Sequence, residues 1–292
     1  MSLNDNPEYP SSSQSPYRAE YGNYLQIPMQ YQLGVNNHQT GKARREMTIK
    51  LVARFGLTSP SLIAWLYCIP KRQALEHLNA LVEQKALCLV KTHRSPDDRV
   101  YVLDYIGAKY AEELLSVAVY FRSGGEPSLR VNQNTIMHDL MMQYVLLRGI
   151  HNWTKSGEYH PYWQRFLTEP EFKRTFTSNQ IRNVDGIVQE PDGRFAAIEM
   201  EHSLKTKASR EAILGKWLSG LKQGYYQKMM LFSHSSQIFD DIKRLHTQLF
   251  EELPNRKGRK GQSITAHDIE LLESAIVYRS ALCNELMAMF YP

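Results

Sequence analysis

Apolar positions first repeat clearly over 45–55, where Met47, Ile49, Leu51, Val52 and Phe55 predict a helix that Gly56 ends. Thr58-Ser59-Pro60-Ser61 offers a new start, with a hydroxyl cap and Pro in the first turn, for a short helix carrying Leu62, Ile63, Trp65 and Leu66. A third helix is predicted over 71–84, with Ala74, Leu75, Leu78, Leu81 and Val82 on one stripe. Residues 87–90 and 99–103 then read as strands around a turn at 94–98, and a helix over 107–120 follows. Beyond a Gly/Ser/Pro-rich linker at 122–128, Ile136, Leu140, Tyr144 and Leu147 mark a helix over 134–149. A short extended segment is expected over 175–178, a β-hairpin over 184–201, and a helix over 207–223. A buried-type strand over 228–233 and a helix over 236–249 come next. The last stretch, 264–290, predicts one or two helices or a closing strand. This order implies a mixed fold, α+β or α/β, in two units spanning 45–121 and 129–292.

Three short helices followed by a β-ribbon form the pattern of a winged helix-turn-helix, whose third helix enters the major groove. Lys71, Arg72 and Gln73 open that helix, and Arg and Gln are the types that pair with guanine and adenine edges. Lys91, Arg94 and Arg99 on the ribbon, with His93, suit phosphate contacts. A solvated polar face, or a protein-docking module of the same shape, are the alternatives.

The hairpin carries the candidate chemistry. Pro191-Asp192-Gly193 predicts a three-residue loop with Gly in the left-handed position. Counting outward, Gln189 opposes Phe195, Ile187 opposes Ala197 and Asp185 opposes Glu199, while Glu201 shares the face of Glu199. Three carboxylates on one face repel unless a cation lies between them. A divalent metal fits that need, and Mg²⁺ favours carboxylate oxygen, water and phosphate. Asp185 and Glu199 are thus expected ligands of Mg²⁺ or Mn²⁺, with Glu201 as a further ligand or a base and the Met200 carbonyl as an additional donor. The plainer alternative is the polar outer face of an edge hairpin. His138 is a candidate to hold a phosphate or a metal-bound water, with a helix-face histidine as its ordinary alternative and Asp139 as a substitute acid.

Composition narrows the setting. The chain has 292 residues and a net charge of +5, which permits a polyanionic partner without requiring one. It has no apolar run of 18 residues, so no membrane insertion is expected, and no basic-then-apolar leader. Three scattered cysteines, Cys68, Cys88 and Cys283, form neither a zinc spacing nor a disulfide framework, which suits a reducing cytoplasm; Cys68 and Cys88 read as core residues. Residues 1–44, rich in Ser, Pro, Asn, Gln and Tyr, predict a disordered or loosely docked arm, and 255–261 a basic glycine-bearing loop.

A strand-borne Asp185 followed by Glu199-Met200-Glu201 within a helix, three strands, helix, strand order resembles the PD-(D/E)xK nuclease superfamily. Glu201 stands where that pattern has lysine, and Lys205 lies just downstream as a candidate substitute. His138 resembles a helical histidine of some branches, and Gln223 and Tyr226 weakly echo another branch. Combined with the winged helix, the chain resembles the replication-relaxation family, which includes MobC-type plasmid relaxases. That resemblance, over 45 to about 250, implies a restriction-endonuclease-like αβββαβ domain behind a winged helix. It also implies a metal-dependent endonuclease that nicks one strand of plasmid DNA at a transfer origin, with relaxosome accessory and coupling proteins as partners. The sequence lacks the His-x-His pair of tyrosine-type relaxases. A non-catalytic DNA-binding replication or transcription regulator with a degenerate nuclease-like domain is the alternative.

Overall fold

The computed structural model describes residues 18–121, 125–153, 156–176, 181–255 and 264–291. The class is α+β. The N-terminal part comprises α1 (Arg18–Leu25), α2 (Asn37–Phe55), α3 (Pro60–Tyr67), α4 (Lys71–Glu83), β1 (Leu87–Lys91), β2 (Arg99–Leu103) and α5 (Tyr105–Leu115). The C-terminal part runs α6 (Pro127–Arg130), α7 (Ile136–Ile150), β3 (Arg165–Thr168), α8 (Glu169–Thr175), β4 (Gly186–Gln189), β5 (Phe195–Met200), α9 (Lys207–Lys222) and β6 (Lys228–Phe232). It closes with α10 (Ser236–Glu252), α11 (Ala266–Ala275), β7 (Ile276–Tyr278) and α12 (Cys283–Phe290).

Local signals act as the sequence suggests at several ends. Gly56, at φ 85°, stops α2 in the left-handed conformation. The Ser59 side chain accepts from Leu62 N with Pro60 in the first turn of α3. β1 and β2 pair antiparallel, Leu87 opposite Leu103. The final stretch holds both helix and strand, and β7 pairs in parallel with β6 at the sheet edge.

Five strands form one sheet in the order β3-β4-β5-β6-β7. β3, β4 and β5 are mutually antiparallel, whereas β6 and β7 run parallel to β5. One face, through Val188, Ala196, Ile198, Met200 and Phe232, packs on α7 and continues into the N-terminal helices as a single core. The other face, through Ile187, Phe195, Ala197 and Leu231, is covered by α9 with Trp217 and by α10 with Phe239.

The first sheet strand differs from expectation. It lies at Arg165–Thr168, while Thr175 ends α8, Phe176 caps it and 177–178 fall outside the described residues. Residues 165–168 are too short to show a period, and the Thr168/Glu171 capping box turns the chain immediately into a helix. α2 begins at Asn37 rather than 45, capped by Asn36, and α5 stops at Ser116, which takes φ 55°. The arm is a further correction over its described part. Tyr21 is fully buried against Phe176 and Phe195 and donates its hydroxyl to the Tyr225 carbonyl, and Leu25, Ile27 and Met29 are buried as well. A few apolar side chains at the right spacing outweigh a polar composition. Residues 1–17 and 256–263, the latter holding most of the basic loop, lie outside the described residues. Cys68 is exposed at the end of α3, not in the core, whereas Cys88 is half-buried.

The two parts are joined through their interior. Arg54, at the end of α2, donates from Nε and Nη2 to both Glu171 oxygens of α8 at 2.7 and 2.8 Å, and from Nη2 to the Phe166 carbonyl. Thr168 Oγ1 returns a bond to the Arg54 carbonyl at 3.0 Å. Gln143 of α7 accepts from Thr58 and donates to the Leu57 carbonyl, each at 2.8 Å. All these side chains are buried, and each has a hydrogen-bond partner across the interface.

Candidate acidic site and nucleic-acid-facing surface

The hairpin loop sets the register. Gly193 adopts φ 86°, its N–H donates to the Glu190 carbonyl, and Glu190 N donates to the Arg194 carbonyl. The pairs are Gln189 with Phe195 and Ile187 with Ala197, and Asp185 N, just before β4, donates to the Ile198 carbonyl. Asp185, Glu199 and Glu201 therefore share the face of Ile187 and Ala197.

That face is closed by α9, which changes what the carboxylates do. Glu199 is only 1% exposed in its side chain and is gripped by Arg182, through Nε to Oε1 and through Nη2 to Oε2 at 2.9 Å. Trp217 Nε1 of α9 also donates to Glu199. Glu201 is fully buried, with Arg210 Nη1 of α9 at 2.8 Å on one oxygen and Lys205 on the other. The cations that the acidic face demands are thus supplied by the protein. Glu199 and Glu201, expected as metal ligands, are thus each engaged by side-chain cations. Met200 meets Asp185 through its amide, which donates to Oδ2 at 2.7 Å. Lys205 lies on Glu201 instead of pointing into an open site.

Asp185 is the exception among the three. Its Oδ1 lies 3.5 Å from His138 Nε2, which reaches around the end of the sheet from the first turn of α7. His138 Nδ1 is 3.1 Å from His202 Nε2. Glu169, the first residue of α8, joins them: one ligand atom from each of His138, Glu169 and Asp185 lies within 4.8 Å of the others, and all three are half-buried. Glu169 also pairs with Lys173. No sequence motif marks Glu169; it arrives because α8 starts where β3 ends, beside Asp185. Asp139 is engaged at the helix start, accepting from Thr135 Oγ1 at 3.0 Å. Tyr226 is buried with its hydroxyl toward the Trp217 carbonyl, and Gln223 caps α9; neither joins the cluster.

The electrostatics follow the contacts. Burial pulls His138 down, but the hydrogen bond and charge of Asp185 prevail and hold it at about 9. Asp185 is lowered in return: burial, the largest influence, raises it, but the His138 bond and charge, the Met200 amide and the Arg182 charge together prevail. His202 is pushed down to about 4 by burial and by the His138 charge. Burial and the Asp185 charge push Glu199 up to about 7 against the pull of Arg182. His138 Nε2, an Asp185 oxygen and a Glu169 oxygen make a donor set suited to a divalent cation, with solvent access for further ligands.

On the N-terminal part, Lys71, Arg72 and Gln73 are exposed at the start of α4. Arg72, 89% exposed in its side chain, pairs with Glu76 at 3.0 Å. Lys71 reaches the buried Asp97 of the β1–β2 turn, which also accepts from Ser61 N and Oγ at 2.9 and 2.7 Å. Asp97 thereby fixes α3, α4 and the ribbon turn together. Burial would raise its pKa, but the Lys71 and Ser61 bonds lower it. Lys91 and Arg94 are exposed on the ribbon, and Arg99 is half-buried with Nε 3.3 Å from the Asp97 carbonyl.

Comparison of the chain with family models, with curated proteins and with solved structures gives no match. Among the described residues no helix is long and apolar enough to cross a membrane.

Proposed function

We propose that the chain is a metal-dependent DNA endonuclease of the plasmid mobilisation relaxase kind. In this reading a winged helix reads duplex DNA at a transfer origin, and a restriction-endonuclease-like domain nicks one strand, with relaxosome accessory and coupling proteins as partners. The supporting observation is the half-buried His138, Glu169 and Asp185 cluster at one end of the sheet. It is tied through α8 and Arg54 to a helical unit that exposes Lys71, Arg72 and Gln73. A divalent ion such as Mn²⁺ or Mg²⁺, when bound, polarises a phosphodiester and acidifies water. Arg182, held on Glu199 and one quarter exposed, has further N–H groups with which to meet a phosphate oxygen. Lys91, Arg94 and Arg99 would neutralise backbone phosphates and place the strand.

Nicking of supercoiled plasmid DNA in Mn²⁺ or Mg²⁺ tests the reading. Asp185→Ala is expected to abolish nicking and to leave duplex binding unchanged in a mobility shift. Normal nicking by that variant would remove the catalytic assignment. The second reading, a non-catalytic replication or transcription regulator, draws on the neutralised Glu199 and Glu201. It expects tight, specific duplex binding with no strand scission in either metal.

A further inference from the structure

We propose that the ion of this site is held by His138, Glu169 and Asp185, that Glu199 stands outside its coordination, and that the site selects Mn²⁺ over Mg²⁺. The inference rests on the metal-dependent reading above and specifies the ligands and metal of that site. The three residues come from three elements: the first turn of α7, the first residue of α8 and the residue before β4. Metal–ligand bonds of about 2.0–2.2 Å put two donors on one ion no more than ~4.4 Å apart. His138 Nε2 and Asp185 Oδ1, at 3.5 Å, already satisfy that limit. The full set lies within 4.8 Å, so the half-buried Glu169 side chain needs to close by less than an ångström.

Two ligands are oriented from behind. The Met200 amide holds Asp185 by Oδ2 and leaves Oδ1 toward His138. His202 Nε2 faces His138 Nδ1, so a proton kept on Nδ1 would leave the Nε2 lone pair to the ion once the ion displaces the proton that Nε2 shares with Asp185. Such outer partners fix the tautomer and ring angle of metal-bound histidines. His202 lies outside the ligand set and comes from the loop after β5.

Glu199 has no comparable freedom. Both of its oxygens are taken by Arg182, and Trp217 adds a third donor from the α9 side. A dication on Glu199 would lie against a guanidinium. Its role here is to hold Arg182 in place. The imidazole nitrogen decides the metal. Mg²⁺ favours an all-oxygen octahedron, whereas Mn²⁺ accepts mixed nitrogen and oxygen donors. Three protein ligands leave positions for water and a phosphate oxygen.

The test uses the full chain without DNA, so that the ion site and the nicking activity can fail separately. Calorimetric titration with MnCl₂ and with MgCl₂ is expected to show one Mn²⁺ per chain, bound about tenfold or more tightly than Mg²⁺. Glu169→Gln and Asp185→Asn are expected to weaken Mn²⁺ by about tenfold or more, and Glu199→Gln by less than about threefold. Electron spin-echo spectra of the Mn²⁺ form are expected to show imidazole nitrogen modulation that His138→Gln removes. That readout stands even if Glu199→Gln, which strands a buried guanidinium, does not fold. Absence of Mn²⁺ binding, absence of nitrogen modulation in the wild type, wild-type affinity in Glu169→Gln, or tenfold loss in a folded Glu199→Gln each overturns the proposal. Mn²⁺ bound as described by a protein that nicks nothing leaves the ion site standing and removes the nuclease reading.

Discussion

At the residue scale, one partner often decides what a charged group is for. Glu199 and Asp185 sit opposite each other across the hairpin, yet one is locked to Arg182 and the other faces His138. His77 on α4 is a simpler case. It is half-buried, 2.9 Å from Thr48 Oγ1, and held near 4 by burial first and then by the charges of Arg44 and Arg45. Its pKa is lower folded than unfolded, so the unfolded chain takes up the proton first. The associated stability is complete above about pH 6.5 and declines as pH falls toward 4. A shift of this size corresponds to on the order of 3 kcal/mol. Urea midpoints measured at about pH 7.5 and 5 should therefore fall less in His77→Asn than in the wild type. Equal falls would assign the acid sensitivity to other buried histidines such as His246, which lies near 3.

Elements depend on what their neighbours allow. Gly149 in α7 faces the buried Trp163 ring, and a Cβ there would overlap it. Gly→Ala inside a helix ordinarily stabilises by up to about 1 kcal/mol. Here the overlap reverses the sign, and Gly149→Ala is expected to destabilise by roughly 1–3 kcal/mol with a changed near-ultraviolet tryptophan signal. An unchanged melting temperature would contradict that packing. Elements announced by period or punctuation were legible in the sequence: α4 by its stripe, α3 by Ser59 and Pro60, the hairpin by Pro191-Asp192-Gly193. The same count placed Asp185, Glu199 and Glu201 on one face. Their partners were hidden, because Arg182 precedes the strand and Arg210 stands one turn before the apolar stripe of Ile213, Leu214, Trp217 and Leu218, where a charged side chain gives no local sign of burial. β3 and α1 escaped for a related reason. Four residues show no period, and Tyr21 matters only because a distant sheet offers Phe195.

At the scale of the whole molecule, the described N-terminal and C-terminal parts share one interior. Arg54 and Glu171 are both buried, and each leaves an uncompensated charge if the other is removed. Glu171→Ala is expected to cost about 3–5 kcal/mol, whereas joint replacement by Arg54→Met and Glu171→Leu should recover much of that loss. Denaturation followed by fluorescence and by circular dichroism should remain a single coincident transition in the wild type. Separate transitions would show that the interface is weaker than its buried bonds imply.

Glu171 has a second consequence, since it caps the helix whose first residue is Glu169. A shared interior fixes the distance between the exposed start of α4 and Asp185. In the nuclease reading, such a protein would act as a ruler laid along the duplex. The broken bond then falls at a constant offset from the bases that are read, and moving those bases by half a helical turn would carry the scissile phosphate to the far side of the DNA.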